Sequence, residues 1–216
     1  MARPRHEVRR HPERGRYDRA SVEAVLDATL VAHVAFVDDG QPFCIPMLQA
    51  RVGEIVYVHG SSASRAVRIL GGGAPACVTV TSLDGLVLAR SAFEHSANYR
   101  SAVLLGSFSR VEDEAARLAA FEAFTEKLVP GRWREVRSPD RRELKATKIL
   151  SLAIDEAAVK VRTGPPTDGA SADAANGTWA GVVPVVTRFG EPEPAPELPE
   201  GTPLPASVRG LLGDGA

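Results

Sequence analysis

The sequence predicts a mainly β protein whose antiparallel strands form a closed or nearly closed barrel with a few peripheral helices. Three observations lead to this prediction. Short segments that alternate apolar and polar residues recur along the chain, turn residues such as Asp38-Asp39-Gly40 separate successive segments, and few stretches have a helical period. Strands that follow one another in hairpins favour an antiparallel barrel over a sheet of βαβ units.

The N-terminal part of the barrel contains a short helix and three strands. The helix is expected from Asp18, because Asp18 and Ser21 are candidate caps before an apolar stripe. The strands are expected at residues 31–37, 43–49 and 54–59. The turn between the first two predicts a β-hairpin. Pro46 cannot donate a backbone hydrogen bond, so its strand is expected to have an edge or a bulge there.

The central part begins with a helix that opens at Arg65 and ends at glycines 71–73. Leu83-Asp84-Gly85 looks like a tight turn between two alternating segments, which predicts a second hairpin. These segments are residues 76–81 and 86–90, and a long strand is expected at residues 101–111.

The C-terminal part contains the strongest helical pattern, over residues 113–128, where one stripe is apolar and Pro130-Gly131 ends the helix. Ser138-Pro139 resembles a cap followed by proline at the first helical position, which predicts a short helix over residues 141–145. Strands are expected at residues 149–154 and 160–163, and an apolar segment at residues 179–186 closes the barrel.

Three regions follow from these elements. Residues 1–17 form a basic arm with six Arg and two His, which we interpret as a solvated terminus rather than a nucleic-acid-binding arm. Residues 18–187 form the barrel domain. Residues 188–216 are rich in proline and are expected to form an extended tail.

Composition narrows the function classes. The chain has 26 Lys and Arg against 27 Asp and Glu, a balance that shows no bias toward nucleic acid. Cys44 and Cys77 are the only cysteines, and their spacing predicts neither a metal site nor a disulfide. No run of about 18 apolar residues predicts a membrane span. We therefore expect a cytoplasmic protein with a small-molecule partner.

A candidate anion site lies where the third strand runs into a helix. Gly60, Ser61, Ser62 and Ser64 keep the backbone close to any ligand, and Arg65 supplies a planar charged fork that suits phosphate oxygens. The same residues are also compatible with an ordinary Ser-capped helix and a solvated Arg. The residues alone leave both interpretations open.

Several segments resemble the flavin-binding split-barrel superfamily related to pyridoxamine 5′-phosphate oxidase, in the branch of the nitroimidazole-resistance Nim proteins. The resemblance covers roughly residues 8–184 and rests on GQPFCIPM, YVHGSSASR, CVTVTSLDGLVLARSAFEHSANYRSAVLLG, PGRW, KVRTGPP and WAGVVP. It implies a six-stranded antiparallel split β-barrel that forms a homodimer with FMN at the subunit interface. Other members bind FAD, the deazaflavin F420 or haem, so the fold alone does not identify the cofactor.

The resemblance also implies site residues. The flavin phosphate would lie on Ser64 and Arg65, next to Gly60 and Ser61. Ala66 departs from the family, because many of its oxidases have Lys there. The isoalloxazine ring would lie along the second strand, near Thr79 and Thr81 of a later strand. The residues of the second strand that would contact the ring are Ile45, Pro46 and Met47.

Other candidates have two interpretations each. His59 is either a proton donor beside the flavin or a hydrogen-bonded strand-end residue. His95 and Asn98 belong to a polar segment that suits the flavin cleft or a dimer contact. Trp179 either stacks on the flavin or, as we favour, closes the core. Lys160 and Arg162 are more typical of solvated strand-edge charges than of ligand contacts.

The resemblance implies a flavin-dependent oxidoreductase that reduces a small acceptor such as a nitroaromatic or quinone, with a nicotinamide cofactor as a candidate reductant. The alternative is a flavin carrier or sensor without turnover. Haem binding has only isolated candidate ligands in the sequence, namely His33, His59 and His95.

Overall fold

The computed structural model describes residues 4–212, which contain ten strands and five α-helices. The strands are β1 (Gly15–Arg16), β2 (Val31–Asp38), β3 (Gln41–Val52), β4 (Ile55–Ser61), β5 (Pro75–Leu88), β6 (Ser96–Ser107), β7 (Ser109–Arg110), β8 (Thr147–Ala153), β9 (Glu156–Arg162) and β10 (Gly181–Pro184). The helices are α1 (Arg19–Asp27), α2 (Arg65–Leu70), α3 (Glu114–Leu128), α4 (Arg141–Ala146) and α5 (Ala206–Leu212).

All ten strands belong to one antiparallel sheet. Nine of them follow the order β1-β9-β6-β5-β2-β3-β4-β8-β7, and β10 pairs with β5 beyond the end of β2. Strands β8 and β9 lie toward opposite ends of this order, yet only a short turn joins them, so the sheet curls back on itself as a half-barrel. The predicted mainly β, antiparallel fold is confirmed. The predicted count of six strands is too low.

The core fills the concave side of this sheet. Alternate residues of each strand point inward, as in Val56 and Val58 of β4, which are fully buried. Helix α1 adds Val22, Val25 and Leu26 to the same core. Among residues 4–212, no helix is both long and apolar enough to cross a membrane.

The predicted hairpin around Leu83-Asp84-Gly85 is wrong, because β5 runs through it as one strand. The register against β6 shifts between Leu83 and Gly85, which is a β-bulge. The Asp84 carboxylate accepts hydrogen bonds from Arg100 Nε at 2.9 Å and Nη2 at 2.8 Å across the strands. A Cβ on Gly85 would lie 3.0 Å from Val182 Cγ1, so glycine allows β10 to approach.

The C-terminal half contains a second difference. Helix α4 begins where it was predicted, but its N-cap is Asp140, which forms a capping box with Glu143, and not Ser138. The tail is not extended throughout, because α5 returns to the domain. Ser207 is buried there, and its N and Oγ donate to the Glu135 carboxylate at 3.1 and 2.5 Å. The division of the chain at residues 17 and 187 stays a prediction.

Candidate functional site

The N-terminal half of β3 has one unpaired edge. Residues 41–48 pair with β2, whereas β4 pairs only with residues 49–52. Pro46 lies in the unpaired half, so the predicted edge position of this proline is confirmed. The side of β3 that continues the core face of β2 carries Phe43, Ile45 and Met47. Each of these residues pairs with a buried residue of β2, and Pro46 points to the opposite side.

The turn from β4 into α2 faces this edge. A Cβ on Gly60 would lie 2.8 Å from Val67 Cγ2 and 4.0 Å from Met47 Cε. Glycine therefore lets the strand end lie against the helix and β3. Ser64 is the N-cap of α2, and its side chain makes no capping hydrogen bond. We call the space between residues 41–48 of β3 and residues 60–65 the β3–α2 cleft.

Arg65 is the cation of the β3–α2 cleft. Its guanidinium carbon lies 4.8 Å from the centroid of the Phe43 ring, a cation–π arrangement. Its Nε lies 3.8 Å from the Asp38 carboxylate, and 56% of the side chain is exposed. Helix α2 has only six residues, so its dipole adds little and Arg65 supplies most of the positive charge. A stacked, exposed guanidinium can bind phosphate oxygens while it stays positioned.

Six of the thirteen predicted cofactor residues lie at the β3–α2 cleft. The cleft contains Ile45, Met47, Gly60, Ser61, Ser64 and Arg65. His33 of β2 pairs with Pro46 on one side and with Thr79 on the other, so these three side chains lie in one row across the strands. This row is on the outer face of the sheet, opposite Ile45 and Met47, and Thr81 points to the same outer face. One ligand inside this cleft therefore cannot lie against Ile45 and Thr79 of the same chain at once.

The remaining candidates lie outside the β3–α2 cleft, and two of them contact the loop at Gly164 and Pro165 that follows β9. The Asn98 amide donates to Gly164 O at 3.1 Å and accepts from Arg162, so its hydrogen-bonding groups hold that loop. Arg162 is buried, which shows that its interpretation as a solvated strand-edge charge is wrong. His95 is exposed, with Nδ1 2.9 Å from Ser91 O. Trp179 is 64% exposed, so the favoured interpretation as a core residue is wrong.

His59 lies on the opposite face of β4 from Gly60. Its ring contacts Phe124 of α3 edge-on, with centroids 4.5 Å apart. Its Nδ1 is buried and has no hydrogen-bond partner among residues 4–212. Burial also lowers the pKa of His59 below its ordinary value. At neutral pH the imidazole is therefore neutral, which suits an acceptor or metal ligand better than a proton donor.

The partly buried His59 predicts a pH dependence of stability in the cofactor-free protein. The unfolded chain binds a proton near the ordinary pKa of 6.5, which the folded chain does not. The free energy of unfolding should therefore fall as the pH drops below 6.5 toward the lowered pKa, by at most about 1.4 kcal/mol per pH unit from this group. Urea titrations across this range should show a shallower decrease for His59→Phe. Equal decreases in parent and variant would contradict the prediction.

Two site residues escaped the sequence analysis. Phe43 positions Arg65, and Phe124 covers His59. Both were visible as aromatic residues in apolar patterns, but their partners lie on elements distant in sequence. Within residues 4–212, no group of three or more His, Cys, Asp or Glu side chains could hold a metal ion.

Comparison with known proteins adds to this geometry. The family model described as pyridoxamine 5′-phosphate oxidase matches residues 18–161. No curated protein sequence is significantly similar to the chain.

Three solved structures illustrate the similarity. The FAD and heme binding protein from Mycobacterium smegmatis is 46% identical, with a TM-score of 0.88, over 93% of this chain and 98% of that one. The flavocytochrome Anf3 from Azotobacter vinelandii is 42% identical, with a TM-score of 0.89, over 96% of both chains. A candidate 5-nitroimidazole antibiotic resistance protein from Bacteroides thetaiotaomicron shares the fold at 18% identity and a TM-score of 0.58, over 68% of this chain and 86% of that one.

Proposed function

The chain belongs to the pyridoxamine 5′-phosphate oxidase family, as the sequence resemblance predicted, and from this premise we propose that it is a flavin-binding oxidoreductase. The observation that carries the proposal is Arg65, an exposed cation fixed on Phe43 at the mouth of an apolar cleft. Every flavin nucleotide carries both a phosphate group and an aromatic isoalloxazine ring. The β3–α2 cleft offers a partner for each.

Among flavins, we favour FAD over the FMN expected from the resemblance alone. The relative that is 46% identical over 93% of this chain is described as an FAD and heme binding protein. Ala66 supports the same choice, since the Lys that many oxidases of the family place there is missing. FMN and F420 stay as alternatives, and chromatography of the released flavin distinguishes them from FAD.

We also propose a haem site at His59, because two relatives above 40% identity are described as a heme-binding protein and a flavocytochrome. The local observation is the neutral imidazole, whose buried Nδ1 has no hydrogen-bond partner within the described part of the chain. A single His is enough to hold a haem iron, since the porphyrin supplies the other nitrogen ligands. His59 and Gly60 point to opposite faces of β4, which places the two proposed cofactors on different sides of this strand.

The bound flavin would supply the hydride or electron chemistry. This chain would contribute the rest. Arg65 would hold the phosphate, and Ile45 and Met47 would exclude water from one side of the ring. Asp38, 3.8 Å from Arg65, limits the net positive charge and keeps the guanidinium in place.

The proposed substrates are small acceptors, nitroaromatics or quinones, with a nicotinamide cofactor as reductant. The second subunit of the proposed homodimer would cover the unpaired edge of β3, where Cys44 and Pro46 are exposed. Thr79 and Thr81 would then lie on the outer face that such a subunit could share. The alternative, a carrier or sensor, would use the same cleft without turnover.

An anaerobic stopped-flow experiment tests the oxidoreductase. The purified protein should lose its flavin absorbance when mixed with NADH or NADPH, and the reduced protein should regain it when mixed with a quinone or nitroaromatic. Following the haem absorbance in the same traces shows whether electrons pass between the cofactors. A flavin that no reductant bleaches and no acceptor reoxidises would favour the carrier or sensor.

A further inference from the structure

A cavity of about 360 Å³ lies between the N-terminal residues and the outer face of the sheet, apart from the β3–α2 cleft. Its floor comes from β6 and β9, and its roof comes from residues 5–10. The floor residues are Ser101, Val103, Leu105, Ala158 and Lys160. This volume falls within the range of small-molecule sites. We call it the strap cavity.

The roof is fastened at both ends. Arg5 forms a bidentate ion pair with the Glu156 carboxylate, at 3.1 and 2.8 Å. Val8 N donates to Tyr17 Oη at 2.9 Å, and β1 pairs with β9 through Gly15 and Lys160. Residues 4–17 therefore lie against the sheet, and many of their side chains remain exposed to solvent. Its attachment keeps the cavity open between strap and floor.

The lining combines an apolar floor with basic side chains that form no ion pair within the described residues. Val103, Leu105 and Ala158 provide the apolar surface. Among residues 4–212, neither Arg9 nor Lys160 forms an ion pair with a carboxylate, and Arg10 likewise has none. Arg5 is already bound to Glu156, and Glu7 is the one carboxylate in the lining.

His6 supplies a second, independent observation. It lines the cavity, and its Nδ1 is buried without a hydrogen-bond partner in the part of the chain that the structure describes. Its ring lies edge-on to Tyr17, with centroids 6.0 Å apart, which fixes its orientation. A buried polar atom without a partner is costly, and a ligand that hydrogen-bonds it would remove that cost.

We propose that the strap cavity binds a small anionic molecule with an apolar body, such as an aromatic carboxylate, sulfonate or phosphate ester. The body lies on Val103, Leu105 and Ala158. The anionic group lies toward Arg9, Arg10 and Lys160, which outnumber Glu7. The site is separate from the flavin site, so it is a place for a substrate or effector and not for the flavin phosphate.

Calorimetric titration of the full-length, flavin-loaded protein with naphthalene-2-sulfonate tests this proposal. We expect one site per chain with a Kd below about 1 mM, and much weaker binding of the uncharged naphthalene-2-sulfonamide. The double replacement of Arg9 and Arg10 by Glu should raise the sulfonate Kd about tenfold or more. The matched control replaces Arg141 and Arg142, an adjacent exposed pair on α4, by Glu and should leave the Kd within about twofold.

A second variant tests the cavity itself. Val103→Trp places a large side chain on the floor and should abolish sulfonate binding while the flavin content stays at the parent level. No heat of binding with the parent would overturn the proposal, as would equal affinity for the sulfonamide. Unchanged sulfonate affinity in either cavity variant would overturn it too. Because flavin absorbance is read in the same samples, these outcomes are distinguishable from a failure of the flavin site.

Discussion

Arg65→Ala should weaken flavin binding about tenfold or more. The guanidinium is the only cation placed by contacts at the β3–α2 cleft, through Phe43 and Asp38, within residues 4–212. A hydrogen bond to a charged group contributes about 1.5–3 kcal/mol, and the solvent exposure of Arg65 places the expected loss toward the lower value. Fluorescence titration of the flavin-free protein with FAD measures the change in Kd.

Arg68→Ala is the matched control for this prediction. Arg68 belongs to the same helix and is exposed, and within residues 4–212 no side-chain hydrogen bond, ion pair or ring contact links it to β3. Its replacement removes the same charge from the same helix and should leave the Kd within about twofold. If both variants lose affinity equally, the effect is one of general charge. If neither does, Arg65 is not part of the flavin site.

His59→Ala should abolish haem binding while flavin binding is retained. The imidazole is the proposed axial ligand, and alanine offers no atom that can bind iron. The flavin cleft lies on the other face of β4, so its residues are not removed by this change. A pyridine haemochrome assay should show a fall from about one haem per chain in the parent to nearly none in the variant.

The controls for His59 are the two other candidate ligands of the sequence. His33 and His95 are both exposed in the folded chain. His33→Ala and His95→Ala should keep the parent's haem content. If one of these variants loses haem and His59→Ala does not, the replaced histidine is the haem ligand, and His59 is only a packed strand residue beside Phe124.

The sequence predicted those elements correctly whose contacts are made between residues close together in the chain. The hairpin of β2 and β3, the helix α3 and the edge position of Pro46 all follow from turn residues, periodicity and the missing donor of proline. The hairpin predicted at Leu83-Asp84-Gly85 was wrong because the same residue types favour both tight turns and β-bulges. Only the pairing with β6 and the Arg100–Asp84 contact make β5 continuous.

The site was predicted in part for a similar reason. Ser64 and Arg65 follow from a local motif, and in the structure Arg65 lies over Phe43 of β3. The faces of the strands depend on register, which a sequence motif does not contain, so Ile45 and Thr79 were joined in one site although they point to opposite faces. His59 is partly covered by α3, which is remote in sequence. Arg162 is held by the loop at Gly164 and by Asn98, and the sequence pattern around Arg162 contains neither contact.

Cofactor analysis of the purified protein tests the central claim most directly. The flavin released by heat should co-migrate with FAD in chromatography, and the same sample should contain haem in the pyridine haemochrome assay. Arg65→Ala should lose mainly the first signal, and His59→Ala should lose the second. A purified protein that carries neither cofactor, and that binds neither when they are added, would contradict the account.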